Sequence, residues 1–310
     1  MILCLGTTPA TQRVMVFKRL AVDAVNRAAT TLDGIAGKSI NVAKVLQTLG
    51  ADPLATGFLG GPRGDTIRQE LARKCIQADF IGVSAATRQC ITLIDESAAT
   101  TTELVEESPA VEPGDFQKLA KLVERRLKDC QAIVMSGTIT PGGPADFYRQ
   151  CLELARSFGV LGLVDAQGPA LAEALKAHPG LVKPNRQELA RTLACELRTE
   201  TEVIAAMRET QRRGAQRVVV TSGKQPTLAL EGSRLWRIPS PRVRAINPIG
   251  SGDAFTAALV WRLVQADNLG EACRWGAAAG AANALTLMPG ELELPDLERL
   301  AAEIVVENLA

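Results

Sequence analysis

Short apolar runs rich in β-branched residues alternate with amphipathic segments along most of this 310-residue chain, and that alternation constrains the fold more than any single motif does. The runs are ILCLG (2–6), AIVMSG (132–137), VLGLVD (160–165), LVKPN (181–185) and RVVVTSG (217–223). They are continuously hydrophobic rather than alternating, as a parallel strand covered on both faces requires. Helical patterns fill the intervals at roughly 115–129, 145–158, 169–177, 186–194 and 200–213. The pattern predicts a single α/β domain over 1–310, with a doubly wound, mainly parallel sheet flanked by helices. Two regions break the rhythm: TQRVMVFKRL near the start, and RQCITLID followed by TTTELVEE over 88–107. Their period of two, with no helix between them, predicts a small antiparallel sheet acting as a lid or pairing surface.

With 35 Lys and Arg against 34 Asp and Glu, the net charge of +1 gives no global attraction for nucleic acid or an acidic membrane. The seven cysteines are scattered and never spaced Cys-x-x-Cys, which points to reduced thiols in a cytoplasmic protein rather than a disulfide or zinc framework. The opening MILCLG lacks the basic start of a secretion signal. The stretch WGAAAGAANALTLM (275–288) is too short and too rich in Ala and Gly for a membrane span, and reads as a tightly packed buried helix. The single histidine, His178, sits in a loop-like KAHPG and reads as structural.

Ligands of open α/β sheets bind beyond the carboxyl ends of the strands. The unusual residues collect there: SGT at 136–138, Asp165, KPN at 183–185, TSG at 221–223 and NPIGSGDAF at 247–255. GKSIN at 37–41 is not a Walker loop, because the position five before Gly37 is Leu32. It leaves a glycine turn and Lys38 at a helix entrance, or a plain entrance capped by Ser39. In NPIGSGDAF, Asp253 is either a favourable charge at a helix N-terminus or a base beside an anion cradle made by the amides of Gly250, Ser251 and Gly252. In KPNRQEL, Asn185 and Glu188 fit a capping box, or a pair that steadies Mg²⁺ near nucleotide phosphates.

Quoted together, GKSINVAKVLQTLGA, TGFLGG, TRQCITLID, SGTITPGGPADFY, VKPNRQEL, VVVTSG, NPIGSGDAF and GAAAGAANAL occur in the order found in the PfkB carbohydrate kinases, the ribokinase-like family. The chain most resembles the phosphosugar branch of that family, which includes 1-phosphofructokinase and tagatose-6-phosphate kinase, through VNRA at 25–28, TGFLGG, TLID and TTTELVEES. The resemblance implies Asp253 as catalytic base, with Gly250, Ser251 and Gly252 as the anion hole. It implies ATP and Mg²⁺ served by Lys183, Asn185, Glu188, Thr221, Ser222, Gly223 and Asn283, with Asn185 and Glu188 on the metal side. It places the acceptor against Gln12, Gly37, Lys38, Ser39, Asn41, Arg88 and Gly137, with Lys38 and Arg88 on a phosphate the sugar already carries. Segments 10–36 and 88–107 would form the β lid, through which a homodimer could assemble.

Three departures fall on the acceptor and nucleotide sides. Gln12 stands where the phosphosugar branch usually has Asp, Ser39 and Ala36 replace glycines of the first motif, and KQPT after Gly223 lacks a second glycine. The expected activity is ATP-dependent phosphorylation of a sugar phosphate, such as a ketohexose monophosphate. The alternatives are a kinase of an unphosphorylated sugar or nucleoside, and a regulator that binds sugar phosphates with little turnover.

Overall fold

A computed structural model describes residues 1–309. The apolar runs form adjacent strands of one large sheet. In spatial order it runs Glu307–Asn308, Arg234–Ile238, Gln225–Glu231, Arg217–Ser222, Leu181–Val182, Leu161–Asp165, Ala132–Ser136, Ile2–Gly6, Pro53–Leu59 and Gln77–Ala78, with Ile81–Gly82 also paired to Pro53–Leu59. Pairings from Arg217–Ser222 through Gln77–Ala78 are parallel, and the three at the opposite end are antiparallel. Ile2–Gly6 and Ala132–Ser136 are buried at every residue because helices cover both faces. Successive side chains then serve opposite cores: Ile2 and Cys4 join Ile40, Phe255 and Leu259, while Leu3 and Leu5 join Phe116, Phe147 and Leu171. The Ala- and Gly-rich stretch is the buried helix Leu269–Asn283 with the turn that follows it. At Gly276 a Cβ would lie 2.8 Å from Phe255, so the small residues permit its close approach to the helix Ser251–Leu263.

The two irregular regions form a separate four-stranded sheet in the order Thr30–Ala36, Ala10–Phe17, Arg88–Asp95, Thr100–Val105. It consists of two antiparallel hairpins whose seam, Ala10–Phe17 against Arg88–Asp95, is parallel. The seam is parallel because both hairpins leave the main sheet from its carboxyl edge, after Gly6 and after Gly82. Alternation along the seam turns Gln12, Val14 and Val16 inward and Arg13 outward. His178 lies at the opposite, amino-terminal end of the strands, at φ 54° in the turn after the helix Gly168–Leu175.

Candidate active site

The carboxyl ends of the parallel strands and the inner face of the small sheet enclose a cleft of about 370 Å³. Its floor is organised by Asp165, the last residue of Leu161–Asp165, which is 1% exposed. Lys183 Nζ lies 3.0 Å from one oxygen, Lys38 Nζ lies 3.1 Å from the other, and the Thr256 hydroxyl donates at 2.9 Å. Burial alone would raise the Asp165 carboxyl, but the two ammonium groups outweigh it and hold it near about 2. Lys183 is itself buried, with the ring of Phe255 5.9 Å away.

Lys38 opens the helix Lys38–Thr48, whose N-cap is Gly37 at φ 105°. A Cβ on Gly37 would sit 2.9 Å from Pro9 Cα, so glycine is required there on both counts. The Lys38 ammonium also approaches Glu188 Oε1 at 3.4 Å. Burial disfavours its charge, yet Asp165, Glu188 and Asp253 together raise its proton affinity above the ordinary lysine value. One turn along the helix, Asn41 Nδ2 donates to Asp253 Oδ2 at 2.7 Å. Asp253 is 7% exposed, and burial pushes its carboxyl up to about 6 against the pull of nearby Lys38.

The turn before Asp253 leaves two amides free, an arrangement able to cradle an anion. Gly250 caps the helix Ser251–Leu263 at φ 84°, where a Cβ would come within 3.0 Å of Pro289 and Gly290. The amides of Gly250 and Gly252 have no backbone acceptor, whereas that of Ser251, expected as a third donor, closes the turn onto Pro248 O at 3.2 Å. Asn185 and Glu188 form the capping box: Asn185 Oδ1 accepts from Glu188 N at 2.9 Å, and Glu188 Oε2 accepts from Asn185 N at 2.8 Å. The parallel bridge between Asn185 and Thr221 brings that box to the end of the next strand.

On the roof, Arg88 donates through its terminal nitrogens to Glu106 O at 3.2 Å and Thr8 O at 3.1 Å, which leaves its buried Nε without a partner. Gln12 Nε2 donates to Thr92 Oγ1 at 2.8 Å and lies 3.5 Å from the carbonyl of Arg13, so the donor end of the amide is fixed. Gln12 Oε1 is buried and unpartnered, as is Asn41 Oδ1. These three orphaned atoms belong to residues lining one cleft, and buried polar atoms are rarely left unpaired unless a ligand or water meets them.

Six expected residues do not line the cleft. Ser39 is 2% exposed and turns under its helix toward Gly6, where a Cβ would lie within 2.3 Å of the Ser39 hydroxyl. The serine that replaces a glycine at 39 is therefore accommodated by glycine at 6. Gly137 lies beneath the Lys38 stem, its amide donating to Asp165 O at 3.0 Å. Ser222 and Gly223 run past the rim into the turn that leads to Gln225–Glu231. Ser251 faces Asn283, and Asn283, fully buried, braces Ile249 O at 2.9 Å and Gly290 N at 2.8 Å. Sequence reading assigned no role to Asp165, Thr256, Glu103 or Pro289, all of which stand in or against the site. For Asp165 the signal was present as a lone carboxylate closing an apolar run.

The arrangement is that of a group-transfer enzyme: a buried base candidate beside an anion cradle, roofed by a lid. The sequence matches the model of the pfkB family carbohydrate kinases over residues 1–293, and the chain belongs to that family. It is an ATP-dependent carbohydrate kinase. Among its relatives, tagatose-6-phosphate kinase of Staphylococcus epidermidis is 28% identical, with 99% of each chain covered. A Thermotoga maritima protein designated a possible 1-phosphofructokinase superposes with a TM-score of 0.91 at 25% identity, covering 100% of this chain and 99% of that one. The tetrameric inhibited form of phosphofructokinase-2 from Escherichia coli gives 0.86 at 26% identity, covering 97% and 98%.

Asp253 yields a stability prediction whose sign follows from its raised proton affinity. The folded state holds this proton more tightly than the unfolded chain does. The resulting stabilisation is complete below the unfolded value near 3.8 and is lost as pH rises through about 6. At pH 8 the ionised, buried carboxylate is a net cost, so Asp253→Asn raises unfolding stability there by about 1–3 kcal/mol and by much less near pH 4.5. Urea unfolding at the two pH values checks this; a pH-independent difference contradicts it.

Proposed function

We propose that the protein phosphorylates a sugar phosphate, of the ketohexose monophosphate class, using ATP. One observation carries the reading: Asp253 is buried, oriented by Asn41 at 2.7 Å, and adjoins the free amides of Gly250 and Gly252. Asp253 accepts the proton of the acceptor hydroxyl as that oxygen attacks the γ-phosphate, and the two amides receive the charge that develops on the phosphoryl oxygens. A proton affinity near 6 leaves the carboxylate ionised at neutral pH yet more basic than an ordinary aspartate. Lys38 and the unpartnered Nε of Arg88 supply cations for an acceptor that already carries a phosphate, more than a neutral sugar needs. The relatives named above, a tagatose-6-phosphate kinase among them, support that class.

Among the described residues, no group of three or more His, Cys, Asp or Glu is placed to hold a metal. The donor set suits Mg²⁺ that arrives with the nucleotide, because Mg²⁺ keeps most of its waters and takes one or two carboxylates plus phosphates. Glu188 would meet that water shell through Oε1, while the side-chain oxygen of Asn185 stays committed to its cap. Such an ion supplies charge neutralisation at the phosphates.

The lid is also proposed as the contact between two copies of the chain. Met15, Ile91, Leu93 and the half-exposed Leu104 lie on its outer face, opposite Gln12 and Val14. Leu104→Glu should convert a dimer to a monomer in sedimentation, and a parent chain that is already monomeric refutes the contact.

Gln12 gives a specificity prediction. With its amide nitrogen held by Thr92, it offers only a carbonyl oxygen, so it accepts a sugar hydroxyl as a carboxylate would, without the charge. Gln12→Leu should raise KM for the sugar phosphate by about 5–30-fold, the scale of one unmet buried hydrogen bond, and leave KM for ATP unchanged. Thr92→Val should produce a smaller shift in the same direction. Equal acceptor KM values in all three proteins would remove Gln12 from acceptor recognition.

The central experiment measures ADP release with fructose 1-phosphate, tagatose 6-phosphate, fructose 6-phosphate, free hexoses, ribose and adenosine. Fastest turnover is expected on a phosphorylated ketohexose, and Asp253→Asn should lower kcat by about 10²–10⁴ while ATP still binds. Fastest turnover on an unphosphorylated acceptor overturns the role of Lys38 and Arg88, and no turnover at all favours a binding protein.

A further inference from the structure

Lys44 lies on the helix Lys38–Thr48, the acceptor helix of the proposed reaction, three residues beyond Asn41, and its side chain is 3% exposed. A buried ammonium is costly unless it is satisfied, and this one is met from three directions. Nζ donates to Pro289 O at 2.6 Å and Ile35 O at 3.4 Å, and Glu291 Oε1 lies 3.7 Å away. Lys74, at the end of the helix Gly61–Arg73, fixes that same carboxylate at 3.1 Å. Ile35 belongs to the lid strand Thr30–Ala36, at its root. Pro289 and Glu291 belong to the segment Met288–Glu291 between the last two helices.

That segment is wedged between the two halves of the chemical centre. A Cβ on Gly290 would lie 2.7 Å from Asn41 Cα, and one on Gly250 would lie 2.9 Å from Gly290 N. Displacement of Met288–Glu291 therefore moves either Asn41, which orients Asp253, or Gly250, which caps the cradle. Met288 also packs under the lid, since a Cβ on Gly34 would meet its Cε. We infer that Lys44 is a positioning residue: its ammonium pins Met288–Glu291 to the acceptor helix and the lid root, and so fixes the distance between the base and the anion cradle.

The inference rests on the kinase reading for its kinetic readout, and it also makes a prediction that needs no turnover. The groups facing Lys44 are Glu291 on the segment, Lys74 on the neighbouring helix and Asp253 on the helix behind it. Burial lowers the lysine to about 8, with Glu291 opposing and Lys74 adding to the fall. The charged form is therefore lost as pH rises through about 8, and kcat should decline over that range.

The test compares the parent chain with Lys44→Met and Lys44→Arg. In the methionine variant kcat should fall at least about tenfold with both KM values within about threefold, since misplacing reacting groups by ~1 Å can cost ~10² in rate. The arginine variant, charged at every accessible pH, should recover much of kcat and lose the decline near pH 8. A purely structural lysine would lower stability without moving the pH profile. Amide hydrogen exchange supplies the second readout: the methionine variant should exchange faster in 286–292 and 250–254 than elsewhere. Unchanged kcat in Lys44→Met, an alkaline limb retained in Lys44→Arg, or exchange unchanged in those two segments each overturns the inference. An inactive parent chain with accelerated exchange in Lys44→Met would instead refute the kinase reading and leave the pinning role standing.

Discussion

Asp165 ties together the parts on which the site depends. Its carboxylate, at the end of a central strand, meets Lys38 from the helix Lys38–Thr48, Lys183 from the end of the next strand and Thr256 from the helix that carries Asp253. Buried ion pairs are poor sources of net stability, because apolar residues of similar shape often serve as well, but removing one partner strands a charge in a dry interior at a cost of about 3–5 kcal/mol. What the network fixes is register. Three elements distant in sequence can approach the strand end only with their polar groups aimed at one carboxylate. That constraint places Asn41, one turn beyond Lys38, against Asp253, three residues before Thr256.

The two free amides and Asp253, the proposed cradle and base, share one short turn for a related reason. Gly250 needs a left-handed backbone and has no room for a side chain, so the turn can be tight enough to leave its own amide and that of Gly252 unpaired. Asp253 then falls in the first turn of the helix, where the dipole favours a negative charge while burial opposes it. Burial prevails, and the carboxylate is more basic than a surface aspartate. A helix start able to bind an anion and a carboxylate within it are compatible here, because Asn41 takes up one carboxylate oxygen while the amides of Gly250 and Gly252 stay free.

Much of this was legible in the sequence, and what was not has a common cause. Continuous apolar runs revealed the central strands because such runs have few other uses. Pro53–Leu59 escaped notice because Thr56 and Gly57 interrupt it; in the structure the Thr56 hydroxyl is satisfied by Asp79 O at 2.6 Å, and Gly57 admits the carbonyl of Gly6. The hairpin Gln225–Ile238 was obscured by Pro226, which the sheet tolerates because it stands at the start of its strand, beside a register shift. Asp253, the two cradle glycines and the Asn185–Glu188 cap depend on neighbours within a few residues and could be read locally. Ser39 against Gly6, Gln12 against Thr92 and Lys44 against Pro289 depend on partners 33 to 245 residues away. No local pattern reports such pairs, so the packing of Ser39 against Gly6 and the bracing of Ile249 and Gly290 by Asn283 are visible only in the structure.

The charges lining the cleft suggest how its two ends communicate. Lys38, Lys183 and Arg88 face Asp165, Glu188, Asp253 and Glu103, so without ligands the cations are largely compensated. Lys183 is buried and fixed on Asp165, whereas the Lys38 side chain is 37% exposed and shared between Asp165 and Glu188 at 3.1 and 3.4 Å. Two of its three ammonium protons are engaged there, so the third is available to an arriving phosphate, and any second contact comes at the expense of that sharing. Glu188 is the weaker of its two partners, being longer and already tied to the capping box through its other oxygen. In the proposed reaction, a phosphate that draws Lys38 away would thus free Glu188 Oε1, the oxygen best placed to meet the water shell of a nucleotide-bound cation. Asp165 would keep the buried Lys183, so the register that sets the proposed base against the proposed cradle would survive the exchange.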